Sequence, residues 1–158
     1  MSERTTALRV EIEAARQDLR AAIQALADEE WDRPTTNPAW TARDLLTHLA
    51  IAEPGLLARM RRVLAGTSEL PADFDLNRYN QRQVDKRRGS TIRELTDSLA
   101  ASRQDTLRFL DELDDQQLDV RGWNASRQEV SIATIFETMA RHEREHARDI
   151  LTARGSGV

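Results

Sequence analysis

The sequence has no cysteine among its 158 residues, so disulfide bonds and thiolate metal ligands are excluded. Any sulfur nucleophile used by this protein would have to come from a small-molecule thiol. Aromatic residues make up 4% of the chain, and no run approaches the ~18 consecutive apolar residues of a membrane-spanning helix. The first residues are charged throughout and lack the apolar core of a signal peptide. We therefore expect a protein that stays in the cytoplasm and does not enter a membrane.

An excess of basic charge is also missing. The formal net charge is −4, and no basic stripe is evident, so the sequence does not favour nucleic-acid binding. A chain of this length, with 39% hydrophobic and 32% charged residues, is typical of one globular domain. We expect that domain to cover residues 1–153, followed by a disordered Gly-Ser-Gly tail over residues 154–158.

Apolar residues recur at helical spacing along most of the chain, and no strand alternation is convincing. The pattern predicts long helices over about residues 6–28, 41–65, 91–113 and 131–153, and a shorter, polar helix over 76–88. Thr41 and Asp44 have the spacing of a capping box at the second helix, Gly66 is suited to end it, and Pro54 should kink it. Residues 114–130 are predicted to be a connection. Four long helices and one short one predict an all-α four-helix bundle.

The three histidines of the chain lie where helices could bring them together. His142 and His146 are four residues apart in the last predicted helix and therefore share a face. His48 lies on the apolar stripe of the second helix. Three neutral imidazoles that converge between helices would form a divalent metal site with open positions for water or substrate. Each histidine taken alone also fits an ordinary core residue with one hydrogen bond.

Two glutamates fall on the same inward faces. A helical wheel places Glu143 in the middle of the apolar face of the last helix and Glu53 in the inward half of the second. A carboxylate on an apolar face is unfavourable unless it is paired, protonated or close to a cation. A nearby metal would explain both, and so would pairing with an arginine such as Arg59. Trp40 and Tyr79 are candidates for the mouth of such a site, although the tryptophans could equally cap the bundle.

The run from His142 to His146 also satisfies the H-E-x-x-H pattern of zinc metalloproteases, in which the glutamate is the general base. Those enzymes take their third ligand downstream and hold a peptide against a strand. Here twelve residues follow His146, the third histidine lies far upstream, and no strand is evident. The pattern therefore does not favour a protease, although Glu143 beside a metal could still act as a base.

Three segments of the chain resemble the DinB-like four-helix-bundle superfamily. Residues 40–50, a Trp followed by the run Asp-Leu-Leu-Thr-His48-Leu, resemble its second-helix signature, and residues 140–150, with His142 and His146, resemble its paired-histidine motif. Residues 77–113 resemble its third-helix region. The resemblance implies a bundle with one long crossover, often a homodimer, and a divalent metal, often zinc or nickel, held at positions matching His48, His142 and His146. Some relatives have Glu at the position of His142, so the ligand set varies.

Members of that superfamily include mycothiol- and bacillithiol-dependent transferases and isomerases, and hydrolases that disarm reactive toxins. By this resemblance we expect an enzyme in which the metal lowers the pKa of water or of a low-molecular-weight thiol for attack on an electrophilic small molecule. Glu143 or Glu53 would carry the proton, and Trp40 or Tyr79 would line the mouth. Transfer and hydrolysis both stay open. The alternatives are a non-catalytic metal- or ligand-binding bundle and a purely structural helical domain.

Overall fold

The computed structural model describes residues 1–155. In chain order the elements are α1 (Glu3–Ala25), α2 (Ala42–Ala65), α3 (Leu76–Lys86), α4 (Ile92–Glu112), α5 (Asp115–Leu118), β1 (Arg121–Trp123), β2 (Glu129–Ser131) and α6 (Ile132–Leu151). The predicted all-α bundle is therefore confirmed. Within residues 1–155, each helix is too short or too polar to cross a bilayer. Most of the tail predicted to be disordered, residues 156–158, lies outside the described residues.

The ends of the long helices follow from local capping. Thr41 and Asp44 form the predicted capping box at the start of α2, and Gly66 ends this helix in the left-handed region at φ 72°. The helix continues through Pro54. The first helix starts three residues earlier than predicted, because the hydroxyl of Ser2 accepts the amide N–H of Thr5 and so caps it.

The segment predicted as a plain connection, residues 114–130, contains the short helix α5 and the first strand of an antiparallel hairpin. The strands were not predicted because each has three residues, too few to show an alternating pattern. The hairpin packs closely on α2 at Gly122. A Cβ atom at this position would lie 2.7 Å from the hydroxyl of Ser68 and 2.9 Å from a methyl of Val63, so this contact requires glycine.

The four long helices form a ring in the order α1, α6, α2, α4, because α6 packs against α1 and α2, and α4 against α2 and α1. Helices α1 and α2, although consecutive in the chain, are therefore diagonal to each other, and so are α4 and α6. The connections over residues 26–41 and 113–131 therefore both run between diagonal helices. The crossover implied by the resemblance is confirmed, and the chain makes a second one between α4 and α6.

Two clusters of buried apolar side chains fill the bundle. The first includes Leu8, Ile12, Leu57, Met60, Phe109, Leu110, Ile132 and Phe136, and the second includes Leu19, Ala22, Leu45, Leu49, Leu95, Leu99, Ala147 and Ile150. In each long helix one buried charged residue separates the positions of the first cluster from those of the second. These residues are Arg16, Glu53, Arg103 and Glu143. The core is therefore divided at mid-length by a polar layer.

Candidate metal centre

The three histidines meet on the side of the bundle where α2 packs against α6. His48 Nε2 lies 3.1 Å from His142 Nε2, and His146 Nε2 lies 3.0 Å from the same atom. One ring nitrogen of each histidine lies within 4.8 Å of the others. Within residues 1–155 these histidines are the sole group of three or more His, Asp or Glu side chains arranged in this way. The convergence predicted from the spacing of the histidines is therefore found.

The separations of these nitrogens fit a metal ion. Zinc binds imidazole nitrogen at about 2.0–2.1 Å, which in a tetrahedral site places two ligating nitrogens about 3.3 Å apart. The two measured separations are within a few tenths of an ångström of this value. Hydrogen bonds between the rings cannot account for all of these contacts. A neutral His142 Nε2 carries at most one proton, but it lies close to Nε2 of both His48 and His146. Three converging lone pairs are instead what a divalent cation requires.

The protonation of the cluster also suits metal binding. Burial, together with a smaller effect of the neighbouring His146, lowers the pKa of His48 to about 4. Burial lowers the pKa of His142 to about 3, with contributions from His146, His48 and Arg141. Both rings are therefore neutral near pH 7. Neutral imidazole is the form that coordinates a metal.

A carboxylate that the sequence reasoning missed orients one of the rings. Asp149 Oδ2 lies 3.2 Å from His146 Nδ1, one helical turn further along α6, and the hydroxyl of Thr36 donates to Asp149 Oδ1 at 3.1 Å. An Nδ1–H that donates to a carboxylate leaves Nε2 free as an acceptor, which fixes the tautomer needed for a ligand. The spacing of three residues between His146 and Asp149 was the available sequence signal.

The tryptophan predicted at the mouth of the site packs on the cluster. The rings of Trp40 and His48 have centroids 4.8 Å apart and are inclined by 33°. The indole N–H of Trp40 donates to Gln81 Oε1 on α3 at 3.0 Å. Helix α3 is therefore in contact with the tryptophan that packs on His48. Tyr79 is 45% exposed, and its ring packs on Phe74 at 5.7 Å. Among the described residues, no ring contact joins Tyr79 to a histidine.

The geometry does not support the proton-carrying role predicted for Glu53 and Glu143. Both side chains are buried, and all four of their oxygens accept hydrogen bonds from Arg16 or Arg103. These hydrogen bonds engage every oxygen of the two carboxylates, so neither group is left as a free base beside the histidines. The alternative interpretation, pairing with arginine, is the one observed. Arg59, the example given of such a partner, donates instead to the backbone carbonyl of Ser68.

The protein is a four-helix bundle in which two helices bring three histidines together as a candidate metal site. A family described as the DinB superfamily matches residues 11–150, so the chain belongs to the DinB superfamily. The solved structures include a similar fold, YfiT from Bacillus subtilis, described as a probable metal-dependent hydrolase with an unusual four-helix bundle topology. The TM-score is 0.77 at 17% identity, over 97% of this chain and 87% of that one. At this identity the likeness shows the fold alone. No curated protein matches the sequence.

Proposed function

We propose that this protein is a metal-dependent enzyme that uses water or a low-molecular-weight thiol to attack an electrophilic small molecule. The observation that carries the proposal is the convergence of Nε2 atoms from His48, His142 and His146. A divalent cation bound there would act as a Lewis acid and lower the pKa of a coordinated water or thiol. The description of YfiT as a probable metal-dependent hydrolase supports hydrolysis as one of the two reactions.

The ligand set favours an anionic nucleophile. The lowered pKa values of His48 and His142 keep these ligands uncharged near pH 7, so the rings do not offset the charge of a cation. Asp149 is bonded to the far nitrogen of His146 and so acts on the ring from outside the cluster. A site of this kind stabilises the deprotonated form of water or thiol. Because the chain has no cysteine, a thiolate would have to come from a separate molecule.

The chemistry of the donors limits the metal. Imidazole nitrogens suit zinc, nickel, copper and iron, whereas the soft thiolate sites that select Cu(I) or iron–sulfur clusters need cysteine. Of the metals that suit imidazole, the resemblance favours zinc and nickel. We propose zinc or nickel, one ion per chain, in a single domain over residues 1–153. A homodimer located in the cytoplasm stays a prediction from the sequence and the resemblance, as does the absence of a nucleic-acid partner.

A metal-reconstitution assay tests the proposal. Protein stripped with a chelator and then reloaded with zinc or nickel is compared on a panel of activated esters and alkylating electrophiles, with and without a small thiol. We expect turnover that needs the metal and that is lost in His48→Ala but kept in Arg108→Met, a surface control 73% exposed. Turnover without added thiol indicates hydrolysis, and turnover that needs thiol indicates transfer. Stoichiometric metal without turnover on any pair would favour the binding module instead.

A further inference from the structure

The polar layer between the two apolar clusters is a closed network of four buried charges. Arg16 comes from α1, Glu53 from α2, Arg103 from α4 and Glu143 from α6, and their side chains are each 5–6% exposed. Two positive and two negative charges leave no net charge in the core. Every long helix of the bundle therefore contributes one member to the same network.

Each arginine of the network joins the same two carboxylates. Arg16 donates from Nε to Glu143 Oε1 at 2.6 Å and from Nη2 to Glu53 Oε2 at 2.5 Å. Arg103 donates from Nε to Glu53 Oε1 at 2.7 Å and from Nη2 to Glu143 Oε2 at 3.1 Å. The two glutamates are thus bridged twice. Displacing either one along its helix would break hydrogen bonds to both arginines.

The remaining guanidinium nitrogens connect the two arginine-bearing helices. Arg16 Nη1 donates to the carbonyl of Leu99 on α4 at 3.0 Å, and Arg103 Nη1 donates to the carbonyl of Ile12 on α1 at 2.7 Å. Each arginine therefore contacts the backbone of the helix that carries the other. Helices α1 and α4 form a fixed frame, and that frame holds the carboxylates of α2 and α6.

The two helices held in this way are those that carry the histidines. Glu143 directly follows His142 on α6, and Glu53 lies five residues after His48 on α2. Apolar faces specify the axial position of a helix weakly, whereas a buried polar contact specifies it strongly. A slide of one helical turn is about 5.4 Å, far more than any hydrogen bond in the network tolerates.

We propose that the network of Arg16, Glu53, Arg103 and Glu143 is a positioning device that sets α2 against α6 and thereby keeps the histidines within coordinating distance. This inference rests on the proposed metal site, but it assigns the buried charges a role in metal affinity rather than in proton transfer or stability. Its members are positioning residues, because they act through the two helices and contact no ligand themselves.

An apolar replacement of the whole network separates positioning from stability. In the variant Arg16→Met, Glu53→Leu, Arg103→Met and Glu143→Leu, no charge is left unpaired, and such replacements often keep or raise stability. We expect cooperative unfolding with a midpoint no lower than wild type. Cobalt(II) affinity, measured by competition with a chelator, should fall at least tenfold, and the visible d–d bands should change. A folded variant with unchanged affinity and bands would overturn the proposal.

A milder variant keeps the test decisive if the fourfold replacement does not fold. Arg103→Lys keeps the positive charge but cannot join two carboxylates through a planar fork. We expect it to fold and to bind cobalt at least tenfold more weakly, whereas wild-type affinity would contradict the proposal. The control Arg108→Lys changes an exposed arginine of the same helix and should leave both readouts unchanged.

A distance measurement distinguishes failure of this inference from failure of the metal site itself. Because the chain lacks cysteine, spin labels at Ala58→Cys on α2 and Glu145→Cys on α6, both exposed positions, report the spacing of these helices without metal. We expect the distance distribution to shift or broaden in the fourfold variant. If wild type binds no cobalt but the distribution still changes, the metal proposal fails and the positioning role stands. An unchanged distribution would refute the positioning role.

Discussion

Removal of one arginine from the buried network should destabilise the fold far more than removal of a surface arginine. Arg103 donates to both Glu53 and Glu143 and is 6% exposed in its side chain. Burial alone would lower its pKa, but its hydrogen bonds to these carboxylates and their charges raise the pKa overall, so it is charged. In Arg103→Met the two carboxylates share one remaining guanidinium. Breaking a buried ion pair from one side costs about 3–5 kcal/mol.

This free energy converts to a large change in melting temperature. With an unfolding entropy of about 2.1 cal/mol/K per residue, a loss of this size over the 158 residues lowers Tm by about 9–15 °C. The matched control is Arg108→Met, whose partner Asp105 is also exposed, and a surface pair of this kind contributes about 0–1 kcal/mol. Calorimetry or urea unfolding of the two variants measures the contrast. Equal, small losses would refute the view that the network is a tightly coupled unit.

Three further predictions concern the site and one helix end. Asp149→Ala removes the partner of His146 Nδ1 and should weaken zinc binding about 10–100-fold in a chelator competition, and unchanged affinity would exclude an orienting role. The metal-free protein should lose stability as the pH falls below about 6.5, because His48 and His142 have lowered pKa values and the unfolded chain binds the protons first. The slope should be up to about 1.4 kcal/mol per pH unit for each histidine, measured by urea unfolding, and a flat profile would contradict their uncharged state in the folded protein. Gly66→Ala, at φ 72°, should cost about 1 kcal/mol in the same unfolding assay, and an unaffected midpoint would mean that the helix end relaxes.

The parts of the fold that could be predicted from the sequence are those governed by local periodicity and capping. The spacing of Thr41, Asp44 and Gly66 marks both ends of α2, because each residue acts within one helical turn. The i, i+4 spacing of His142 and His146 places both rings on one face of α6 for the same reason. The meeting of these rings with His48 is a contact between helices, and the sequence suggested it only because α2 and α6 both carry inward histidines.

The sequence predicted the buried position of Glu53 and Glu143 but not the residues that pair with them. Their inward position was predicted correctly, but the choice between a metal and an arginine as the partner depends on which helices are neighbours. Arg16 and Arg103 lie among the apolar positions of α1 and α4, and a helical wheel of those helices could have found them. The diagonal placement of consecutive helices brings all four charges together. No pattern within a single helix or connection of the sequence indicates this placement.

The most direct test of the metal centre is elemental analysis of protein reconstituted with zinc or nickel and passed through a desalting column. Wild type should retain about one divalent ion per chain, and His48→Ala and His142→Ala should retain far less under the same conditions. Stoichiometric metal in all three proteins, or none in wild type, would contradict a site formed by these histidines.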